Sequence, residues 1–67
     1  MLSTRNQLLA QVKSVKTGDV VSEVVMEIGG QDLCAIITTK SVQDLALTAG
    51  NQVRALVKAT SVGVEKP

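Results

Sequence analysis

Histidine, phenylalanine, tyrosine and tryptophan are all missing from this chain of 67 residues, and cysteine occurs once, as Cys34. Without His and with a single thiol there is no ligand set for zinc or another transition metal, and no Ser-His-Asp or Cys-His catalytic unit. Without aromatic rings there is no stacking platform for unpaired bases. Charge is nearly balanced: seven Lys+Arg face six Asp+Glu, a formal net charge of +1, which argues against counterion-release binding to DNA or RNA. No run approaches the roughly 18 consecutive apolar residues of a membrane span. The Met-Leu-Ser-Thr-Arg-Asn start lacks the charged, apolar and cleavage regions of a signal peptide. A lone thiol fits a reducing compartment, so the expected location is cytoplasmic. What remains for binding is hydroxyls, backbone amides and a few cations.

The residues that are present predict one small domain, 1–67, that does not stand alone. Apolar residues make up 45% of the chain, and they are small: eleven Val, seven Leu, six Ala, three Ile, two Met and Cys34. A chain of this length buries only about 60% of its unfolded surface. Small cores of that kind rely on disulfides, a metal or a partner chain. The first two are excluded here, which leaves self-association.

Val, Ile and Thr together supply twenty residues, the β-branched side chains that suit a pleated, half-buried surface. Four apolar-rich segments separated by glycine-containing turns read as strands: Gln7 to Lys16, Val20 to Ile28, Leu33 to Thr38 and Gln52 to Lys58. Val62-Gly63-Val64 would supply a short fifth. In the first strand Leu8, Ala10 and Val12 share a face while Val15 is out of phase, the mark of a bulge or bend. Thr17-Gly18-Asp19 is a turn in which Gly18 is free to take positive φ, and Gly29-Gly30-Gln31-Asp32 is a hairpin turn. From Thr39 or Lys40 to Leu47 the apolar positions Val42, Leu45 and Ala46 follow a helical period. Thr38 or Thr39 would cap that helix and Thr48-Ala49-Gly50 would end it. A mainly β, five-stranded barrel plugged by one short helix follows.

The second strand places Val20, Ser22, Val24, Met26 and Ile28 on a core face and Val21, Glu23, Val25 and Glu27 on the other. The third and fourth strands also carry apolar residues on both faces, where a barrel with one interior should alternate cleanly. Either the outside is covered by another copy, or these are the scattered exposed Val and Leu of any surface. Glu23 and Glu27 lie about 13 Å apart on the outer face, at ~3.3 Å per residue, and do not converge as a catalytic pair would. Cys34, mid-strand between Leu33 and Ala35, reads as a structural thiol.

Two polar clusters remain: Ser3-Thr4-Arg5-Asn6-Gln7 before the first strand and Lys58-Ala59-Thr60-Ser61 after the fourth. Each joins a cation, hydroxyls and backbone N–H groups at a strand end, which is what a small oxyanion needs. The plain alternatives are a polar N-terminus and a turn closed by hydroxyl hydrogen bonds. No glycine-rich loop precedes a helix, so a phosphate loop is unsupported.

Taken in order, Ser3-Thr4-Arg5-Asn6-Gln7-Leu8, Ser22-Glu23-Val24-Val25-Met26-Glu27-Ile28, Ala35-Ile36-Ile37-Thr38 with Ser41-Val42, Leu47-Thr48-Ala49-Gly50 and Val57-Lys58-Ala59-Thr60-Ser61-Val62 span almost the whole chain. This pattern resembles the molbindins, the single-domain Mop family of molybdate-binding proteins with a TOBE-type domain. The resemblance implies an OB-fold-like barrel assembled as a homohexamer, a trimer of dimers, that binds molybdate or tungstate at subunit interfaces. It implies no enzyme, no cofactor, no nucleic acid and no membrane. Carried onto this sequence, Ser3 would donate through its hydroxyl, Arg5 and Ala59 through backbone N–H, and Lys58 through its ammonium, with Asn6 and Thr60 as further donors. Thr4 lies in the same stretch, where the family commonly has Ala or Gly. A second class of site near the threefold axis would draw on Ser22, Thr38, Thr39 or Ser41. With no room for a DNA-binding or ATPase unit, the expected role is storage or buffering of the oxyanion. Two rivals stand beside it. A nucleic-acid binder predicts aromatics and a basic groove, and a structural or regulatory interaction module predicts no oxyanion binding at all.

Overall fold

The β-branched segments form four antiparallel strands in the computed structural model of the chain, which describes residues 4–67. They are β1 (Asn6–Thr17), β2 (Val21–Ile28), β3 (Gln31–Thr38) and β4 (Gln52–Val57), with a helix α1 (Thr39–Leu45) before β4 and a 3₁₀ turn (Ala59–Ser61) after it. The sheet order is β3-β2-β1-β4. The expected mainly β architecture with one short helix is present. The fifth strand is not: among the described residues Val62-Gly63-Val64 joins no sheet, β3 and β4 remain edges, and the barrel is open.

The out-of-phase Val15 has the expected cause. Val12 pairs with Met26 and Ser14 with Val25, so Lys13 is an extra residue on β1. That bulge returns Val15 to the core side after Ala10 and Val12. The hairpin between β2 and β3 is tighter than expected, because Ile28 already pairs with Gln31. Its two loop residues, Gly29 (φ 57°) and Gly30 (φ 81°), both take the positive φ that such a loop demands.

The core consists of Ala10, Val12, Val24, Met26, Val42 and Ala55, with Val15, Ile28, Leu33, Ala35, Ile37, Leu47 and Val53 packed around it. Val42 is the side chain that α1 contributes. The helix is capped by Thr38, whose Oγ1 accepts from the Ser41 N–H at 3.1 Å. It stops at Leu45, two residues short of the expected end, because Ala46 adopts the left-handed conformation (φ 51°, ψ 46°). The Ala46 N–H then bonds to Gln43 O and the Leu47 N–H to Val42 O, which closes the helix and turns Leu47 toward the core. Left-handed φ costs an alanine about 1–2 kcal/mol, partly offset by glycine's entropy. Ala46→Gly should therefore stabilise the fold by about 0.5 kcal/mol in urea denaturation at fixed protein concentration.

Gly18 is needed for space, not for positive φ: the glycines with positive φ are Gly29, Gly30 and Gly50. The Gly18 N–H donates to Val21 O at 3.1 Å, and a Cβ there would lie 2.5 Å from that same oxygen. The Gly18 carbonyl in turn accepts from Thr39 Oγ1 at 2.7 Å. Gly18→Ala should cost about 1–2 kcal/mol in denaturant unfolding, as the turn shifts to relieve the overlap.

Candidate functional site

The two polar clusters, fifty residues apart in the chain, meet at one corner of the sheet. β1 and β4 run antiparallel, and their last ladder pair is Asn6 with Val57. Carrying that register one step further sets Arg5 opposite Lys58, after which the chain turns at Ala59. Neighbouring strands lie about 5 Å apart, so the backbones that carry these two cations run close together at a strand end. Like charges directly opposite each other repel. Neither Thr4 to Gln7 nor Val57 to Ser61 contains a carboxylate. Among the described residues the ion pairs are Lys13–Asp32 and Lys40–Asp44, both elsewhere. The corner is thus an electropositive spot on a chain of net charge +1.

Local structure fixes both strand ends. The Gln7 side-chain amide donates to Thr4 O at 3.1 Å and ties the N-terminal segment back to β1. Beyond β4 the chain closes a 3₁₀ turn with Lys58 at its N-cap: Ser61 N–H bonds to Lys58 O at 2.9 Å and Val62 N–H to Ala59 O at 3.3 Å. This turn leaves the Ala59 and Thr60 N–H groups without a backbone carbonyl partner among the described residues. Arg5, Lys58, Ala59 and Thr60 are exposed, while Thr4 and Asn6 are half-buried. Ser3 lies outside the described residues. Of the seven expected oxyanion-site residues, the fold brings Thr4, Arg5, Asn6, Lys58, Ala59 and Thr60 to this one corner.

The corner is also thinly covered. β2 pairs with β1 only from Gln11 onward, so the stretch from Asn6 to Ala10 is paired with β4 alone. Leu9 is 75% exposed, and Leu8 and Leu56 are exposed beside it. A two-stranded ribbon with apolar side chains on both faces is marginal in water and has the character of a contact surface.

The hydroxyls considered for a second site cluster at the opposite end of β1, and their hydrogen bonds serve the fold. Ser22 and Thr39 are buried. Thr39 Oγ1 gives its proton to Gly18 O, so Ser22 Oγ is the donor in the 2.8 Å bond to Thr39 Oγ1. Thr38 Oγ1 donates to Ser41 Oγ at 2.8 Å while capping α1. Together these bonds join the Gly18 turn, the start of β2 and the start of α1. Glu23 and Glu27 lie on the outer face as expected, paired across strands with Lys16 and Ile36 and with Gln11 and Asp32. Cys34 is exposed on the outer face of β3. No group of three or more His, Cys, Asp or Glu side chains among the described residues could hold a metal ion, and none of their helices is long and apolar enough to cross a membrane.

The opposition of Arg5 and Lys58 is the feature that residue types alone do not disclose, because it depends on β4 pairing with β1. The available signal is modest: two short polar clusters, each at the outer end of a strand.

Comparison with known proteins finds similar sequences and structures over almost the whole chain. Residues 2–64 match the family model described as the TOBE domain. The chain is 44% identical over 62 residues to molybdenum-pterin-binding protein 3 of Clostridium pasteurianum, covering 91% of each chain. Its structure superposes with a TM-score of 0.92 on a molybdate binding protein from Sporomusa ovata, at 47% identity and 98% coverage of both chains. It also matches ModG, a cytoplasmic molybdate-binding protein solved with molybdate bound, with a TM-score of 0.82 and 41% identity over 87% of this chain and 42% of that one.

Proposed function

Because the chain belongs to the TOBE domain family, we propose that it binds molybdate, and tungstate as its close isostere, reversibly and without catalysis. The observation that carries this reading is the Asn6–Val57 ladder pair, which brings the segments bearing Arg5 and Lys58 to one corner, a place where two cations gain from an anion between them. Molybdate at neutral pH is a tetrahedral dianion with four oxygens to satisfy. Lys58 supplies a compact point charge, the Ala59 and Thr60 N–H groups and the Thr60 hydroxyl supply oriented donors, and Ser3, Thr4, Arg5 and Asn6 close the other side. The oxyanion is cargo, so no further cofactor is called for. None of these residues is a carboxylate, so nothing accepts the proton of hydrogen phosphate, which disfavours that ion. Sulfate is the smaller competitor, and cavity size is the means of rejecting it.

In this reading the site is completed by a second copy. Support comes from the thin cover at the corner and from exposed Leu9, Leu56 and Ile36 on the outer face. It comes also from a core of six buried apolar residues, none larger than Met, which is slight for a free-standing domain. The assembly proposed is the homohexamer of paired dimers that the resemblance implies, located in the cytoplasm and acting as a store or buffer. A ligand held between chains stabilises the assembly by mass action. Titration calorimetry with molybdate, tungstate, sulfate and phosphate tests the binding. The expected result is saturable binding of the first two and at least tenfold weaker binding of the others. No binding of any of the four would leave a structural module in its place.

A further inference from the structure

Gln7 ends the N-terminal polar cluster and has no place among the oxyanion donors set out above, yet its side chain reaches back to the segment that carries them. Gln7 Nε2 donates to Thr4 O at 3.1 Å. Among the described residues this is the one side-chain hydrogen bond that Thr4 or Arg5 takes part in. The β1–β4 ladder begins at Asn6, and no backbone hydrogen bond outside the strands involves the Thr4 carbonyl or the Arg5 N–H. The Gln7 amide is therefore what sets how the Thr4–Arg5 peptide faces.

That peptide matters because it holds one of the donors. In a trans peptide the C=O and the N–H lie in one plane and point opposite ways. With the Thr4 carbonyl turned to Gln7, the Arg5 N–H is aimed away from the Gln7 side chain, and it has no backbone partner among the described residues. Across the corner the 3₁₀ turn performs the same task for the Ala59 and Thr60 N–H groups, through the bonds from Ser61 N–H to Lys58 O and from Val62 N–H to Ala59 O. Each flank thus has a device that orients backbone donors. On the β4 flank it is a turn, and on the β1 flank it is a single side chain.

We propose that Gln7 is a positioning residue for the oxyanion site: its amide holds the Thr4–Arg5 peptide so that the Arg5 N–H is presented to the anion, and it does not touch the anion itself. This rests on the binding reading above and deepens it. A donor that is already aimed costs no ordering when the ligand arrives. A donor whose peptide can rotate is competent for only a fraction of the time, and the apparent affinity falls by that fraction. Gln7 is exposed, and a neutral hydrogen bond open to water adds little to folding stability. Its loss therefore registers in binding and not in the fold.

The test is Gln7→Met in the full chain, which keeps the length of the side chain and removes its donor without changing charge. Calorimetry should show molybdate affinity reduced by about threefold to tenfold, with the thermal midpoint and sedimenting mass of the wild type retained. An unchanged affinity overturns the proposal. Amide NMR of the isotope-labelled chain separates positioning from other roles. On saturation with molybdate the wild-type Arg5 backbone amide should shift while the Gln7 side-chain amide stays in place. In Gln7→Met the Arg5 shift should shrink, and those of Lys58 and Ala59 should persist. A Gln7 side-chain signal that moves as far as Arg5 would make it a direct ligand, and an equal loss of shift on both flanks would make its role a general structural one; either overturns the proposal. If Gln7→Met disturbs the fold, Gln7→Val, which also lacks a donor and suits a strand, is read by the same criteria. A wild type that binds no molybdate would instead contradict the binding reading itself.

Discussion

Lys58→Ala should weaken molybdate binding by roughly 10- to 100-fold and leave the oligomer folded. Lys58 is the exposed N-cap of a 3₁₀ turn and makes no side-chain capping bond. Its side chain holds no ion pair among the described residues, so its loss removes no internal contact of consequence. A hydrogen bond from a charged donor contributes about 1.5–3 kcal/mol, and about 1.4 kcal/mol is a factor of ten. Lys58→Arg keeps the charge but replaces a compact ammonium with a planar fork, so it should recover part of the affinity and not all. Calorimetric titration of the three proteins, with sedimentation run in parallel, checks the prediction. An unchanged affinity in Lys58→Ala would remove Lys58 from the site.

The second large effect concerns stability at the other end of β1. Thr39→Val should cost about 3 kcal/mol, because one hydroxyl serves two partners there. It donates to Gly18 O at 2.7 Å and accepts from Ser22 Oγ at 2.8 Å, and Ser22 is only 2% exposed. Valine keeps the shape but strands the buried Ser22 hydroxyl, which costs about 1–3 kcal/mol when unsatisfied, and it removes the part-buried bond to Gly18 O, worth about 1 kcal/mol more. Ser22→Ala alone loses one bond and strands nothing, since Thr39 still reaches Gly18, so its cost should be nearer 1 kcal/mol. In the double variant the stranded serine is gone, and the total should fall below the sum of the singles. Urea denaturation of the four proteins at one concentration supplies the cycle. Strict additivity would mean that Ser22 and Thr39 do not act as a pair.

Much of this architecture is legible in the residues because local pattern and packing agree. β2 alternates Ser22, Val24, Met26 and Ile28 against Glu23, Val25 and Glu27, and only one face of that series can be buried. The misplaced Val15 foretells the bulge at Lys13 because a period of two is broken once. Three features escape for a common reason: each is settled by a contact that the pattern of residue types does not disclose. The requirement for Gly18 comes from the Val21 carbonyl pressing against the site of its missing Cβ, not from φ. The helix ends at Ala46 because Leu47 joins the core, which the local preference of alanine opposes. The Val62-Gly63-Val64 pattern does describe a strand, but it finds no edge within its own described chain. The candidate site divides in the same way. Its residues stand out as donors and cations at two strand ends, while their meeting depends on β4 returning beside β1.

The central claim is that an oxyanion sits at the Arg5–Lys58 corner, between copies of the chain. A crystal structure of the full chain with tungstate, with the heavy atom located by its anomalous scattering, tests this most directly. The account predicts a tungsten position with oxygens within hydrogen-bond distance of Lys58 Nζ and the Ala59 N–H, and with residues of a second copy completing the shell. Tungsten bound away from that corner, or held there by a single chain with no neighbour in contact, would contradict it.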